Sequence, residues 1–262
     1  MSGARSVPVF DLFNPSGYRR ELAVRGLSSA TSPLLLAIFI RRLNDWVPQV
    51  RDAARVSTHS LTSKCSPVVV AEALWMLIPF RSTWERLTTV DTFAFDAILN
   101  SNDVFDSLCA RIQRESAGPM LQILQHITKF EKTDCKLQEL ATLAISPHVR
   151  RVALKSLIEG RVEWIAGWSW RWIDKVYNRK ERVPVVRTRL IDAPVPYDEA
   201  LQLAASDRSV IVRRLVTTIL ISRRGVLSSF EIGIVKKMLC DKNQILVDKA
   251  KFIIQQVKGV SG

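Results

Sequence analysis

An all-α chain built from stacked antiparallel helix pairs is the fold class this sequence predicts, and three observations predict it. A turn-plus-helix unit recurs along the chain. The apolar residues between its copies fall at helical spacing. Only 10 glycines in 262 residues, with no useful run of strand-like alternation, leave little room for a sheet.

The clearest unit is LNDWVPQVRDAA, Leu43 to Ala54. Asp45 is a turn former whose carboxylate can accept free backbone N–H groups, Pro48 suits the first turn of a helix, and Val50, Ala53 and Ala54 begin an apolar stripe. Related segments begin at Ser146 (SPHVRRVALKSL), Asp207 (DRSVIVRRLVTT) and Asp241 (DKNQILVDKAKF), with a capping version at Asn14 (NPSGYRRELAVRGL). Taken in order, YRRELAVRGL predicts a helix from Tyr18 to Leu27 with Leu22, Ala23 and Leu27 inward. SPLLLAIFIRRL from Ser32 is apolar nearly all round, as in a helix buried on two sides, and Arg41 and Arg42 suit its C-terminal end. A second helix then runs from Gln49 to about Ser63.

Copies of such a pair are expected every 30 to 45 residues or so, because one pair cannot bury its own apolar face. Arg51 and Arg150 are 99 positions apart, Arg150 and Arg213 63, and Val212-Arg213 precedes Val247-Asp248 by 35. Between about Ser66 and Ser146 the signature fades. VVVAEALWMLI, TFAFDAILN with a turn at SNDVF, SLCARIQRE, PMLQILQHITKF and KLQELATLAI still read as helices.

Apolar helix, Asp-containing turn and Val-Arg helix together resemble one unit of a HEAT repeat, and the resemblance covers about two thirds of the chain. It implies one right-handed α-solenoid domain over 1–262, with a basic inserted loop at 178–196. It also implies that Asp45, Arg51, Arg150, Asp207 and Arg213 are structural: the arginine after the valine commonly joins an inter-repeat ladder with turn aspartates or backbone carbonyls. Arg151 and Arg214, the second members of their pairs, are then the better candidates for an outside partner. HEAT arrays act chiefly as curved scaffolds for other proteins, and some bind nucleic acid.

Composition narrows the classes. A hydrophobic fraction of 47% supports a packed interior, and the net charge of +13 favours acidic partners. Residues 1–60 carry +4, residues 61–140 −2 and residues 141–262 +11, so the positive field belongs to the C-terminal half. Cys65, Cys109, Cys135 and Cys240 are far apart and read as reduced, buried structural thiols. MSGARSVPVFDLFN lacks the apolar core of a signal peptide, and the longest apolar runs fall short of the roughly 20 residues needed to span a bilayer. A cytoplasmic protein without a membrane span is expected, and the sequence fixes no oligomeric state.

The most unusual stretch runs from Arg161 to Leu190 and holds four of the seven tryptophans among eight basic residues. Read as a helix from Val162 to Tyr177, it places Trp164, Trp168 and Trp172 with Ile165 and Val176 on one core-facing side. Trp170 falls off that side, on a stripe with Glu163 and Asp174, where it either packs on a neighbouring segment or lines a groove. The following NRKERVPVVRTRLIDAPVP carries Arg179, Lys180, Arg182, Arg187 and Arg189 and is either a solvated loop or a projecting binding loop. With Arg150/Arg151, Arg213/Arg214 and Arg223/Arg224 it would form a surface able to follow a phosphate backbone.

Catalytic motifs are absent: His59, His126 and His148 are scattered, no metal-ligand spacing occurs, and no phosphate-cradling glycine loop or nucleophile elbow appears. No cofactor is implied. Trp170 and Asp174, followed by Val212-Arg213-Arg214, are similar in kind to the cleft of HEAT-like alkylpurine-DNA glycosylases, and that resemblance implies Trp170 and Asp174 as base-holding and catalytic residues. The expected function is a non-enzymatic scaffold binding a protein partner through a basic concave face or loop. The alternative is a nucleic-acid-binding protein with base excision as its enzymatic extreme.

Overall fold

A computed structural model describes residues 9–192, 195–223 and 226–260. Among them are thirteen α-helices: α1 Gly17–Gly26, α2 Pro33–Ile40, α3 Pro48–Thr62, α4 Pro67–Leu77, α5 Thr89–Ala97, α6 Asn102–Arg114, α7 Met120–Ile127, α8 Asp134–Leu143, α9 Pro147–Glu159, α10 Tyr197–Ala205, α11 Val210–Ser222, α12 Ser229–Met238 and α13 Gln244–Val260. The chain divides into two compact units, Met1–Arg111 and Ile112–Gly262. No helix of the described residues is long and apolar enough to cross a membrane.

The sequence punctuates these helices locally. Proline opens α2, α3, α4 and α9, where its missing N–H costs nothing. Thr88 and Ser228 form reciprocal capping boxes with Asp91 and Glu231 at the starts of α5 and α12. Gly160 ends α9 at φ 64°, a left-handed conformation that suits glycine. The segment SNDVF, expected as a turn, is helical from Asn102, so α6 begins one residue after Ser101.

Within each unit, helices two apart in sequence pack together. In the N-terminal unit α1 meets α3, α2 meets α4 and α3 meets α5; in the C-terminal unit α9 meets α11, α10 meets α12 and α11 meets α13. Small residues permit the approach: Ala53, Ala54, Ala153, Ala200, Ala204 and Ala250 are fully buried. Cys109 is buried and Cys65 half-buried, but Cys135 and Cys240 are exposed, against the expectation of four buried thiols. Both exposed cysteines lie at helix ends, Cys135 in the first turn of α8 and Cys240 just beyond α12, where side chains escape the packed face.

One polar device recurs. Arg20 forks onto Asp45 through Nε (3.0 Å) and Nη2 (2.8 Å), Arg150 onto Asp207 (2.8 and 2.9 Å), and Arg213 onto Asp241 (2.6 and 2.9 Å). In each pair the aspartate Oδ1 also accepts the backbone N–H two residues on, from Val47, Ser209 and Asn243. The arginine Nη1 donates in turn to the carbonyls six and five residues before it: Asn14 and Pro15, Ala144 and Ile145, Asp207 and Arg208. Arg51 makes the same local contacts with the Asp45 and Trp46 carbonyls, while its Nε stands 4.0 Å from Asp91. Each fork thus satisfies the turn that precedes its own helix and the carboxylate of the next turn device.

Between α9 and α10 the chain is extended, not helical. Strands β1 (Arg161–Asp174) and β2 (Arg179–Leu190) form an antiparallel hairpin, which replaces the helix expected over Val162–Tyr177 and, as far as Leu190, the loop expected over 178–196; positions 193 and 194 of that loop lie outside the described residues. The local signal is period-two: Trp168, Trp170 and Trp172 alternate with Ser169 and Arg171, and the partner strand is rich in valine. Pro184 is tolerated because a two-stranded sheet gives each strand one free edge.

Arg150 is 2% exposed, so Arg150→Met leaves the half-buried Asp207 carboxylate and the Ala144 and Ile145 carbonyls without their donor; chemical denaturation is expected to show a loss of about 3 kcal/mol. Arg25→Met, which removes the surface pair with Glu21, is expected to change stability by about 0.5 kcal/mol or less. Burial pushes the Asp45 and Asp207 carboxyls up, but the forked arginines and the turn N–H groups outweigh it and hold both below the ordinary value of 3.8; Asp241 is lowered first by the Arg213 hydrogen bond. Their folded values lie below the unfolded one. Their contribution is therefore complete above about pH 4 and is lost as the pH falls through the lowered folded values. Melting temperature against pH is expected to be flat down to that point and to drop steeply below it, with a shallower drop in Asp207→Asn.

Candidate functional site

The hairpin gathers most of the residues that the sequence marks for binding. It carries eight basic and three acidic side chains, and only Val162 is buried. Its base is fixed from both sides. Ile191 N–H donates to the Gly160 carbonyl, and β1 packs on α7 and α9.

Arg189 locks that base. It forks onto Asp134 (2.6 and 2.8 Å) and donates to the carbonyls of Thr128 and Phe130, repeating with a strand residue what the helical arginines do elsewhere. Expected at a partner surface, Arg189 is instead half-buried and spent on structure. Glu163 is held by Lys155 and Arg161, and the Lys155 hydrogen bond lowers its carboxyl against the upward push of burial.

The pairing register sorts the side chains. Trp170 stands opposite Arg182, Trp168 opposite Pro184 and Trp172 opposite Lys180, and cross-strand partners share a face. A bulge between Ile165 and Gly167 shifts the alternation by one residue. Trp164 therefore faces the same way as buried Val162, whereas Trp168, Trp170 and Trp172 share the other face with Lys180 and Arg182. Lys180 Nζ sits 4.0 Å from the Trp172 ring centroid, and the Arg182 guanidinium leans diagonally to 5.3 Å from that of Trp168. Trp170 is 69% exposed, and no cation of the described residues covers its ring. Beyond Glu163 that face holds no carboxylate; Arg171 and Glu181 pair on the opposite one.

Asp174 does not join Trp170. It lies at the hairpin end on the opposite face, and its Oδ1 accepts the N–H groups of Val176 (2.8 Å) and Tyr177 (3.2 Å), closing a turn in which Asn178 takes φ 50°. The helical stripe that would have brought Trp170 and Asp174 together does not exist in a strand. Arg179 and Arg187 are exposed on the Asp174 face. Arg151 is exposed on α9, and Arg214 on α11 is half-buried with an unpartnered Nε. Arg223 pairs with Glu231 and stacks on Tyr197; Arg224 lies outside the described residues.

No protein-family model, curated protein or solved structure matches this chain.

Because Arg189 is the principal polar clamp at the hairpin base, Arg189→Ala is expected to weaken the hairpin locally by about 1–3 kcal/mol, with Asp134 left uncompensated. Amide exchange should quicken across β1 and β2 while the cores of α9 and α11 keep their protection.

Proposed function

We propose that this chain is a non-enzymatic, HEAT-like helical-repeat binding protein whose hairpin takes an extended single-stranded nucleic acid. Support for the repeat half of the reading is the recurring arginine–aspartate fork and the packing of helices two apart in sequence. The observation that carries the binding half is the face of Trp168, Trp170 and Trp172 with Lys180 and Arg182. It combines exposed aromatic planes with positive charge and has no carboxylate along its outer length.

Residues on one face of a strand recur about every 7 Å, so successive bases of an extended strand can each find a flat partner while the backbone follows the cations. Stacking on tryptophan tolerates any base, and the arginine and lysine contacts go to phosphate. Recognition of this kind is sequence-tolerant and salt-sensitive. Duplex DNA hides its base faces and fits less well.

A second reading, a protein partner, is favoured by the open edges. Each strand of the two-stranded sheet has one edge unpaired among the described residues, and such edges can accept an added strand.

Fluorescence anisotropy with a labelled single-stranded oligonucleotide separates them. Saturable binding at low salt, weakening steeply as salt rises, is expected together with quenching of tryptophan emission. Trp170→Ala should weaken binding about tenfold or more, the loss of one stacked base, without lowering stability, because the ring is exposed. Absence of binding at low salt would sink the nucleic-acid reading and leave the protein one. Equal affinity of wild type and Trp170→Ala would remove the hairpin face from the interaction.

A further inference from the structure

A second basic cluster lies in the N-terminal unit and shares no residue with the hairpin. Arg41 and Arg42 stand in the short 3-10 turn Arg41–Asn44 after α2, Asp45 and Trp46 follow it, and Arg86 comes from the segment before α5. Asn44 Oδ1 accepts the Arg86 N–H at 2.9 Å and ties that segment to the turn. Together these six residues line an open pocket of about 210 Å³.

The charges in this pocket do not balance. Asp45 contributes its only carboxylate, and that carboxylate is full. Oδ1 takes Arg20 Nη2 and the Val47 N–H, and Oδ2 takes Arg20 Nε and Arg42 Nη1. An ionised carboxylate offers about four acceptor sites, so none is left for another cation. Arg41 and Arg86 are exposed, and neither guanidinium bonds to or pairs with a described residue. Arg42 uses one of its donors, and its Nε is buried without a partner. Its guanidinium is held below its ordinary value, first by burial and then, against the pull of Asp45, by the charges of Arg20 and Arg41.

Three arginines line one small pocket, their guanidinium groups make a single protein hydrogen bond among them, and a set of this kind suits an anion. Trp46, 66% exposed, flanks them, and the Arg20 guanidinium lies 5.3 Å from its ring centroid. We infer that the pocket of Arg41, Arg42 and Arg86 binds the phosphate group of a small phosphate monoester, with Trp46 available to a ring carried by that ligand. The phosphate oxygens would take the forked donors of Arg41 and Arg86, with Arg42 adding its charge from beneath. Asp45 keeps its place beneath as the counter-charge that lets Arg42 be buried at all.

The test uses the full chain and titrates inorganic phosphate, followed by calorimetry, against chloride at constant ionic strength. One saturable site per chain with a Kd of about 1 mM or below is expected. The double variant Arg41→Ala/Arg86→Ala should weaken it at least about tenfold, the worth of one charge-assisted hydrogen bond, and should melt like wild type without phosphate because neither side chain has a partner to lose. Arg19→Ala, an exposed arginine outside the pocket, should leave binding unchanged. A second arm with adenosine 5′-monophosphate identifies the ligand's other half. Tighter binding than phosphate, lost in Trp46→Ala, assigns the ring to Trp46, and equal binding confines the site to the phosphate group. Failure of phosphate to saturate, or undiminished affinity in the double variant, overturns the site. Because Trp170→Ala leaves this pocket intact, failure here and failure of the hairpin reading are distinguishable.

Discussion

A buried fork between an arginine and an aspartate is the interaction on which the helical body depends. Turns between packed helices leave backbone carbonyls and N–H groups without a helical partner, and those shielded from water must find another. Arg150 answers for two such carbonyls and for the Asp207 carboxylate, and Asp207 answers for the Ser209 N–H. A hydrophobic residue of similar volume would fill the space and abandon every one of these groups. The charge is tolerated in the interior because it is fully hydrogen-bonded, not because the pair is strong in itself.

The same requirement explains why the basic surface is smaller than the charge of +13 implies. Arg20, Arg150, Arg189 and Arg213 are all committed to turns, so net charge overstates what a partner can meet. What remains is sorted by environment. On the hairpin, Lys180 and Arg182 lie against indole rings, which hold a cation without neutralising it. In the Arg41–Arg42 turn, the local carboxylate is already saturated and the excess charge stays available.

The helical elements were legible because their code is local. Asp45-to-Val50 and its copies combine turn former, helix start and apolar stripe within a few residues, and even the faded middle from Pro67 to Leu143 kept its helical spacing. The hairpin is ambiguous in sequence because Trp164, Trp168 and Trp172 also satisfy a helical period. Strand alternation among Trp168, Trp170 and Trp172 was equally present, and the valines of β2, which decide between the two, lie a turn away in sequence. The bulge after Ile165 hid the matter further, since a one-residue shift breaks any strict period. Pairing of Trp170 with Asp174 depended on the helix and vanished with it. The Arg41–Arg86 cluster was invisible for a different reason: its members are brought together by the fold and share no motif.

The hairpin's position within the arginine–aspartate series has a kinetic consequence. Arg20 and Asp45 are 25 residues apart and Arg213 and Asp241 are 28, but Arg150 and Asp207 are separated by 57, the excess being the length of the hairpin. Left as unstructured chain, that span makes this contact the slowest of the three to close, because loop-closure entropy grows with length. Hairpins in general zip in about 1–10 microseconds, and the base of this one joins Gly160 to Ile191. Once zipped, it shortens the effective path from Arg150 to Asp207 to that of its counterparts, so the strand pair serves as a shortcut for closing the longest of the three contacts.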